Sequence, residues 1–167
     1  MNSKEAAKRI VGIFNCYKSN TATITGGFLR DLMTDREPKD IDILIRWFSE
    51  LDFEEIRILA RRLGYSVEEC PYYGRDSPVP EVLAVFKLTK YGELPIDIIF
   101  TKDSLPNHIR KFPCSASQVW IEEGYIKSTD SFNNFLDSKV LIFTKYASEK
   151  YKERIMSYYP DYKVVSA

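Results

Sequence analysis

The stretch ITGGFLRDLMTDREPKDIDILI, residues 24–45, decides the fold. Residues 21–25 are β-prone and stop at two glycines, and residues 28–33 then carry apolar side chains at helical spacing. Residues 34–39 are polar and include a proline, which predicts a loop, whereas the apolar run 41–45 predicts a strand. The segment therefore predicts a strand, a glycine turn, a short helix, a loop and a second strand.

The glycine turn is a candidate anion site. Gly26 and Gly27 have no Cβ, so the backbone there can approach a ligand closely. The helix that follows offers free N–H groups to an anion such as phosphate. The pattern is neither GxGxxG nor GxxxxGK[ST], and two glycines alone are also typical of an ordinary turn. We expect this helix to be held by inward-pointing apolar side chains: Phe28, Leu29, Leu32 and Met33.

Two aspartates flank an isoleucine where the second strand begins. Side chains alternate along a strand, so Asp40 and Asp42 should project from one face, roughly 7 Å apart, with Ile41 and Ile43 facing the core. Like charges on one face repel, and a divalent cation such as Mg²⁺ would offset that repulsion. The alternative is a pair of solvated aspartates on an edge strand.

A third carboxylate lies in the apolar run LPIDIIF, residues 94–100. Asp97 could take a proton from an attacking hydroxyl or complete a site for a second metal ion, if its strand neighbours the first. Taken alone it could equally be a surface aspartate.

The rest of the chain predicts an α+β domain, with helices packed on a mixed β-sheet, and a single domain over residues 1–167. Ser3 is expected to cap an N-terminal helix, and Gly64 to end another. The remaining predicted elements are a helix over 52–63, a strand over 65–70, a loop over 71–80, a hairpin of 82–88 with 95–100, strands over 117–122, 125–128 and 139–143, and a final helix over 146–159.

Composition excludes several classes of protein. The 24 basic and 24 acidic residues cancel, which argues against a surface built entirely to hold nucleic acid. Three widely spaced cysteines without metal-ligand spacing argue against structural zinc and favour reduced thiols. No run approaches the ~20 apolar residues of a membrane span, so we expect no membrane partner and a cytoplasmic protein. The sequence leaves the oligomeric state open.

Residues 21–45 closely resemble the head domain of the polymerase-β-like nucleotidyltransferases, in particular the branch of bacterial poly(A) polymerases and CCA-adding tRNA nucleotidyltransferases. That family's pattern is Gly-Gly, one residue, an aliphatic residue, Arg-Asp, a short loop and Asp-x-Asp. The matching positions are Gly26, Gly27, Leu29, Arg30, Asp31, Arg36, Lys39, Asp40 and Asp42. Asp35 stands where glycine is usual, which predicts a differently shaped loop. Residues 110–116 only faintly resemble a later motif of the family, because Lys111 and Ser115 depart from it.

The resemblance implies a polymerase-β-like fold and the transfer of a nucleoside monophosphate (NMP) from a nucleoside triphosphate (NTP) to a hydroxyl, with two Mg²⁺ ions. By that resemblance Asp40 and Asp42 hold both ions, and Asp97 completes the site of the ion near the acceptor. Gly26 and Gly27 receive the β- and γ-phosphates.

The resemblance also assigns candidate roles to three charged residues beside the turn. Arg30 pairs either with a phosphate or with a carboxylate such as that of Asp31, and the sequence does not choose. Lys39 either neutralises the triphosphate or is a solvated loop lysine.

The acceptor stays open between three interpretations. The first is RNA, in particular a tRNA 3′ end; the second is a hydroxyl of a protein or small molecule; the third is a catalytically silent nucleotide-binding module. The family's longer members continue into helical domains that grip RNA, so this chain resembles a stand-alone head of the kind associated with phage-type genomes, which would place it in a host cytoplasm. Away from the motif, His108 is expected in a loop, and Tyr151, Ile155 and Tyr158 are expected to pack rather than to stack on a base.

Overall fold

A computed structural model of the chain describes residues 1–70 and 81–166. The loop predicted over residues 71–80 lies outside the described residues. The elements in chain order are α1 (Ser3–Tyr17), β1 (Ala22–Thr25), α2 (Gly27–Met33), β2 (Ile41–Arg46), α3 (Leu51–Arg62), β3 (Ser66–Cys70), β4 (Val82–Thr89), β5 (Ile96–Thr101), α4 (Leu105–Arg110), a 3₁₀ turn (Ser115–Ser117), β6 (Val119–Glu122), β7 (Tyr125–Ser128), α5 (Asp130–Ser138), β8 (Val140–Phe143), α6 (Glu149–Tyr158) and β9 (Lys163–Ser166).

Within the described residues the strands form a mixed seven-stranded sheet in the order β3-β4-β5-β2-β1-β6-β7. β2 and β5 run parallel, whereas the other neighbouring pairs are antiparallel. β8 and β9 form a separate parallel pair. The predicted α+β class, with helices on a mixed sheet, is confirmed, as is the hairpin of β4 and β5. None of the helices in the described ranges is both long enough and apolar enough to cross a membrane.

The side chains of β2 alternate between two faces of the sheet. Ile41 and Ile43 are fully buried on the first face, which packs against α1 and α3. Leu44 and Ile99 are buried on the second face, beneath α4. Asp42 lies two positions before Leu44 and therefore shares its face. The site described below lies on this second face, beyond the part that α4 covers.

The short helix α2 differs from its prediction in the side chains it buries. Phe28 and Leu29 are buried as expected, but Leu32 and Met33 are 47% and 40% exposed. The whole first turn of α2 enters the protein and includes two charged side chains, Arg30 and Asp31, whereas its last turn emerges into solvent. Helical spacing predicts which residues share a face, but it does not predict how deeply each end of a short helix is inserted.

Helix ends account for most of the remaining differences. Asn2, not Ser3, caps α1 through a capping box with Glu5, and Ser3 is instead buried with its hydroxyl 2.7 Å from that of Tyr65. The final helix begins at Glu149, because Ser148 caps it there, three residues later than predicted. The sequence reading missed α4, α5 and β9. Ser104 caps α4 and Thr129 caps α5, and these caps are the signals that could have revealed both helices.

Candidate active site

The predicted carboxylates meet on neighbouring strands. Asp42 of β2 lies directly opposite Asp97 of β5 in the parallel register, and Asp40 precedes the first residue of β2. All three side chains line one pocket of about 380 Å³. The expectation that Asp97 lies on a strand beside the Asp40–Asp42 pair is therefore confirmed.

The same pocket gathers every candidate residue that the sequence singled out. Its lining includes the five predicted nucleotide-binding residues Gly26, Gly27, Arg30, Asp31 and Lys39. Its other lining residues are Arg36, Ile99, Phe112, Pro113, Ser117, Tyr151, Arg154, Ile155 and Tyr158. Acidic and basic side chains thus share one cavity, which suits a ligand that carries both metal ions and phosphates.

Gly26 places the backbone of the glycine turn in close contact with Asp42. Its φ of +74° lies in the region that glycine adopts freely, and its N–H donates to the carbonyl of Val119. A Cβ at Gly26 would lie 3.1 Å from Oδ2 of Asp42, which is too close for comfortable contact. A Cβ at Gly27 would lie equally close to the Arg30 guanidinium. The two glycines therefore keep the turn in close contact with both charged groups.

Replacing Gly26 by alanine should destabilise the fold by about 2 kcal/mol, because it adds a left-handed backbone penalty to a clash with Asp42. Gly92→Ala is the matched control, since Gly92 also has a positive φ but has nothing within 4 Å of its added Cβ. Urea unfolding of both variants measures the difference. Equal losses of stability would show that Asp42 does not crowd the turn.

The carboxylates are held where ionisation is costly. Burial raises the pKa of Asp42 well above its usual value, and the charges of Asp40 and Asp97 raise it further. Burial raises the pKa of Asp97 to about 6, with Lys87 opposing the shift and Asp40 adding to it. Burial also raises the pKa of Asp40, against the opposing charges of Lys87 and Arg30. A cation among these groups would remove the repulsion, so the residues present fit a magnesium site.

The described residues contain no group of three carboxylate, imidazole or thiol side chains already gathered closely enough to hold a metal ion. An aspartate can change between staggered χ1 rotamers, so side chains that converge on adjacent strands could close on a cation without movement of the backbone. Crowding of the three charges, rather than a preformed ligand cage, is the feature that a bound cation would fit.

The raised pKa values predict how the stability of the metal-free protein depends on pH. An acid whose pKa is higher in the folded than in the unfolded protein destabilises the fold progressively as the pH rises from the unfolded pKa to the folded pKa, and the loss is then constant at higher pH. Since Asp97 shifts from 3.8 to about 6, the free energy of unfolding should rise by about 1 kcal/mol between pH 7 and pH 5 through this residue alone. Urea unfolding in EDTA, with Asp97→Asn as the variant that lacks this rise, measures the effect. Parallel profiles for the two proteins would contradict the raised pKa.

Arg30 forms a buried ion pair with its neighbour. Its Nε donates to Oδ1 of Asp31 at 3.0 Å, and both side chains are 9% exposed. Arg36 adds a second cation, with Nε 3.8 Å from the same oxygen. Arg30 therefore pairs with a carboxylate, while its guanidinium also borders Gly27. Of the two roles that the sequence left open, the carboxylate contact is present in the ligand-free protein.

The last helix reaches the pocket, which sequence reasoning did not anticipate. Lys39 donates to the hydroxyl of Tyr158 at 3.2 Å, and the Arg36 guanidinium lies 4.3 Å from the centre of the same ring. Tyr151 and Arg154 line the cavity from the same helix. Tyr151 also packs on Phe143, so the predicted packing role is correct but incomplete. Tyr151, Arg154 and Tyr158 share one helical face. This spacing of polar aromatic and basic side chains is the sequence feature that could have predicted a contribution of the last helix to the site.

Three residues depart from the family pattern, and each has a defined conformation or contact. Asp35 has a φ of +56°, a conformation that glycine adopts freely and aspartate tolerates. Ser115 accepts a hydrogen bond from the Ile142 N–H, and Lys111 pairs with Asp103 at 2.8 Å.

His108 is buried in α4 rather than exposed in a loop, and burial lowers its pKa to about 4. It does not line the pocket.

Comparisons with known proteins agree with this architecture. No family model matches the sequence, and no curated protein matches it significantly. Among solved structures, a tRNA-processing enzyme in its apo form matches with a TM-score of 0.63 at 21% identity over 84% of this chain. A CCA-adding enzyme in apo form matches with a TM-score of 0.56 at 19% identity over 80%. The chain shares the fold of these enzymes.

A third match is a tRNA nucleotidyltransferase solved with a primer tRNA and an incoming ATP analogue, with a TM-score of 0.54 at 22% identity over 72% of this chain. The matched regions cover 36%, 31% and 34% of the three proteins, so this chain spans about a third of their length. Identities this low establish the fold, as the resemblance of residues 21–45 implied.

Proposed function

We propose that this chain is a nucleotidyltransferase that moves an NMP from an NTP to a hydroxyl acceptor, the 3′ end of an RNA such as tRNA. The observation that carries the proposal is the register of Asp42 opposite Asp97, with Asp40 beside them and the Gly26 turn against Asp42. Carboxylates crowded next to a glycine turn suit phosphoryl chemistry better than a purely structural role.

Asp40 and Asp42 would hold two Mg²⁺ ions, and Asp97 would complete the site of the ion nearer the acceptor. Bound there, the metal ions supply Lewis-acid stabilisation of the attacking and leaving oxygens. The chain's own contribution is to fix the carboxylates. Asp42 and Asp97 lie at opposing positions of a buried strand pair, so their backbones cannot drift apart without breaking the sheet.

The basic side of the pocket would hold the triphosphate. Gly26 and Gly27 line the cavity where α2 begins, so phosphate oxygens could approach the backbone there. Arg30, held by Asp31, presents its guanidinium beside Gly27. Lys39 lines the same pocket, where its contact with Tyr158 would be exchanged for a phosphate. These groups would orient the α-phosphate for in-line attack.

The choice of an RNA acceptor rests on the fold neighbours, one of which was solved with a primer tRNA and an ATP analogue. The test is to incubate the protein with Mg²⁺ and each α-labelled NTP, with total RNA, tRNA and lysate protein as acceptors. We expect label on RNA that EDTA prevents. Label on protein would show that the acceptor is a protein and not RNA. NTP binding without transfer to any acceptor would show that the chain is a nucleotide-binding module and not a transferase.

A further inference from the structure

Lys87 extends the row of charged side chains by one strand. It lies opposite Asp97 in the antiparallel register of β4 and β5, just as Asp97 lies opposite Asp42 in the parallel register of β5 and β2. The three side chains therefore project from the same face on adjacent strands. Lys87 Nζ lies 4.0 Å from Oδ1 of Asp97, and the side chain is 43% exposed. An ammonium group thus borders the carboxylates while remaining free to move into solvent.

Lys87 is the leading counter-charge of two of the three carboxylates, Asp40 and Asp97, in the metal-free protein. At both Asp40 and Asp97 its positive charge is the largest influence that opposes the rise in pKa caused by burial. A divalent cation among the same carboxylates would repel this ammonium group at a few ångströms. Lys87 and the metal therefore compete for the same negative charge.

The two ends of the row of carboxylates have different neighbours along the sheet. Gly26 touches Asp42 from the β1 side, whereas Lys87 lies next to Asp97 from the β4 side. The four basic residues that line the pocket, Arg30, Arg36, Lys39 and Arg154, do not include Lys87, and among the described residues none of β4 lines it. In an in-line displacement the attacking oxygen enters opposite the leaving pyrophosphate. With the triphosphate on the glycine side, the acceptor approaches from the side of Lys87.

We propose that Lys87 is an exchangeable cation that pairs with Asp97 in the metal-free protein and, once a divalent ion occupies the carboxylates, binds a backbone phosphate of a polynucleotide acceptor. The inference rests on the proposed function for the identity of the acceptor. A lysine ammonium is a point-charge ligand for phosphate. A polynucleotide brings a phosphate next to its terminal nucleoside, whereas a protein hydroxyl brings none.

Two binding measurements test the proposal without requiring turnover. The variants are Lys87→Met, which removes the charge, and Lys87→Arg, which keeps it. Lys127→Met is the matched control, because Lys127 is an exposed lysine of the same sheet that pairs opposite Trp120 on the far side of Asp42. The probes are Mn²⁺, followed by electron paramagnetic resonance, and a short labelled oligoribonucleotide, followed by fluorescence anisotropy in saturating Mn²⁺.

We expect K87M to bind Mn²⁺ about fivefold more tightly than the wild type, because a competing positive charge is gone. The same variant should bind the oligoribonucleotide about fivefold more weakly, with a smaller dependence on salt, because one phosphate contact is lost. K87R should resemble the wild type in both measurements, and K127M should change neither. A variant that merely perturbed the fold would not gain metal affinity.

Unchanged or weakened Mn²⁺ binding by K87M would overturn the proposal. So would a loss of oligoribonucleotide affinity that K127M reproduces, because such a loss would reflect net charge alone. Failure of the wild type to transfer any NMP would overturn the proposed function instead. Both binding comparisons would still decide the role of Lys87 in that case, so the two failures are distinguishable.

Discussion

Replacing Asp42 by asparagine is expected to reduce NMP transfer at least about a thousandfold while making the metal-free protein more stable. The loss follows because Asp42 lies between Asp40 and Asp97 and would share both metal ions, so no other carboxylate can replace it. The gain follows because burial and two like charges raise the pKa of Asp42 and oppose its ionised form. An amide of the same shape removes that repulsion, which we expect to add about 1 kcal/mol to the free energy of unfolding at pH 7.

The two effects are measured on the same samples. Transfer is followed as label incorporated into RNA, and stability as urea unfolding in EDTA. Asp137→Asn makes the same chemical change on the exposed surface of α5 and should alter neither property. A D42N protein that is inactive and also destabilised would indicate that Asp42 serves the fold, and undiminished transfer would remove it from the site.

Replacing Asp31 by asparagine is expected to destabilise the fold by about 3 kcal/mol, the largest loss of stability that we predict. The substitution leaves the buried Arg30 guanidinium without its ion-pair partner, and Arg36 remains close by. An exposed ion pair provides the contrast: Glu149 is 86% exposed and lies 3.3 Å from Lys152. Glu149→Gln should therefore cost less than about 0.5 kcal/mol.

A double-mutant cycle separates charge from packing. If the cost of Asp31→Asn comes from an unpaired Arg30, the double variant Arg30→Met/Asp31→Asn should recover most of the stability, since neither charge of the buried pair then remains. Urea unfolding of the single and double variants gives the coupling energy. Additive losses would show that the two side chains act independently and that the pair is not what holds the first turn of α2.

The ion pair between Arg30 and Asp31 also affects the proposed phosphate site. Arg30 borders the glycine turn and Arg36 stacks on Tyr158, so Asp31 orders two cations that would otherwise repel each other at the phosphate side of the pocket. The site therefore contains two opposite imbalances of charge. Within one pocket the carboxylates crowd each other and the two guanidinium groups crowd each other, and a metal-bound triphosphate is a ligand that would neutralise both clusters.

The sequence by itself determined the local part of this design. The spacing from Gly26 to Asp42 specified a strand, turn, helix, loop and strand. This was possible because apolar residues repeat about every 3.6 residues in a helix and every two residues in a strand, so a short stretch of sequence is enough to distinguish them. The alternation of Asp40, Ile41, Asp42 and Ile43 also fixed which side chains face the core. The α+β class followed from the same patterns.

Only the tertiary structure decided what lies next to what. Lys39 contacts Tyr158 across 119 positions of the chain, and the parallel pairing that sets Asp97 opposite Asp42 joins strands separated by two others in sequence. Packing between distant elements likewise buries Arg30 with Asp31 and places residues of α6 in the lining of the pocket. Local periodicity carries no information about which distant surfaces meet, because that choice is made by the burial of the whole chain.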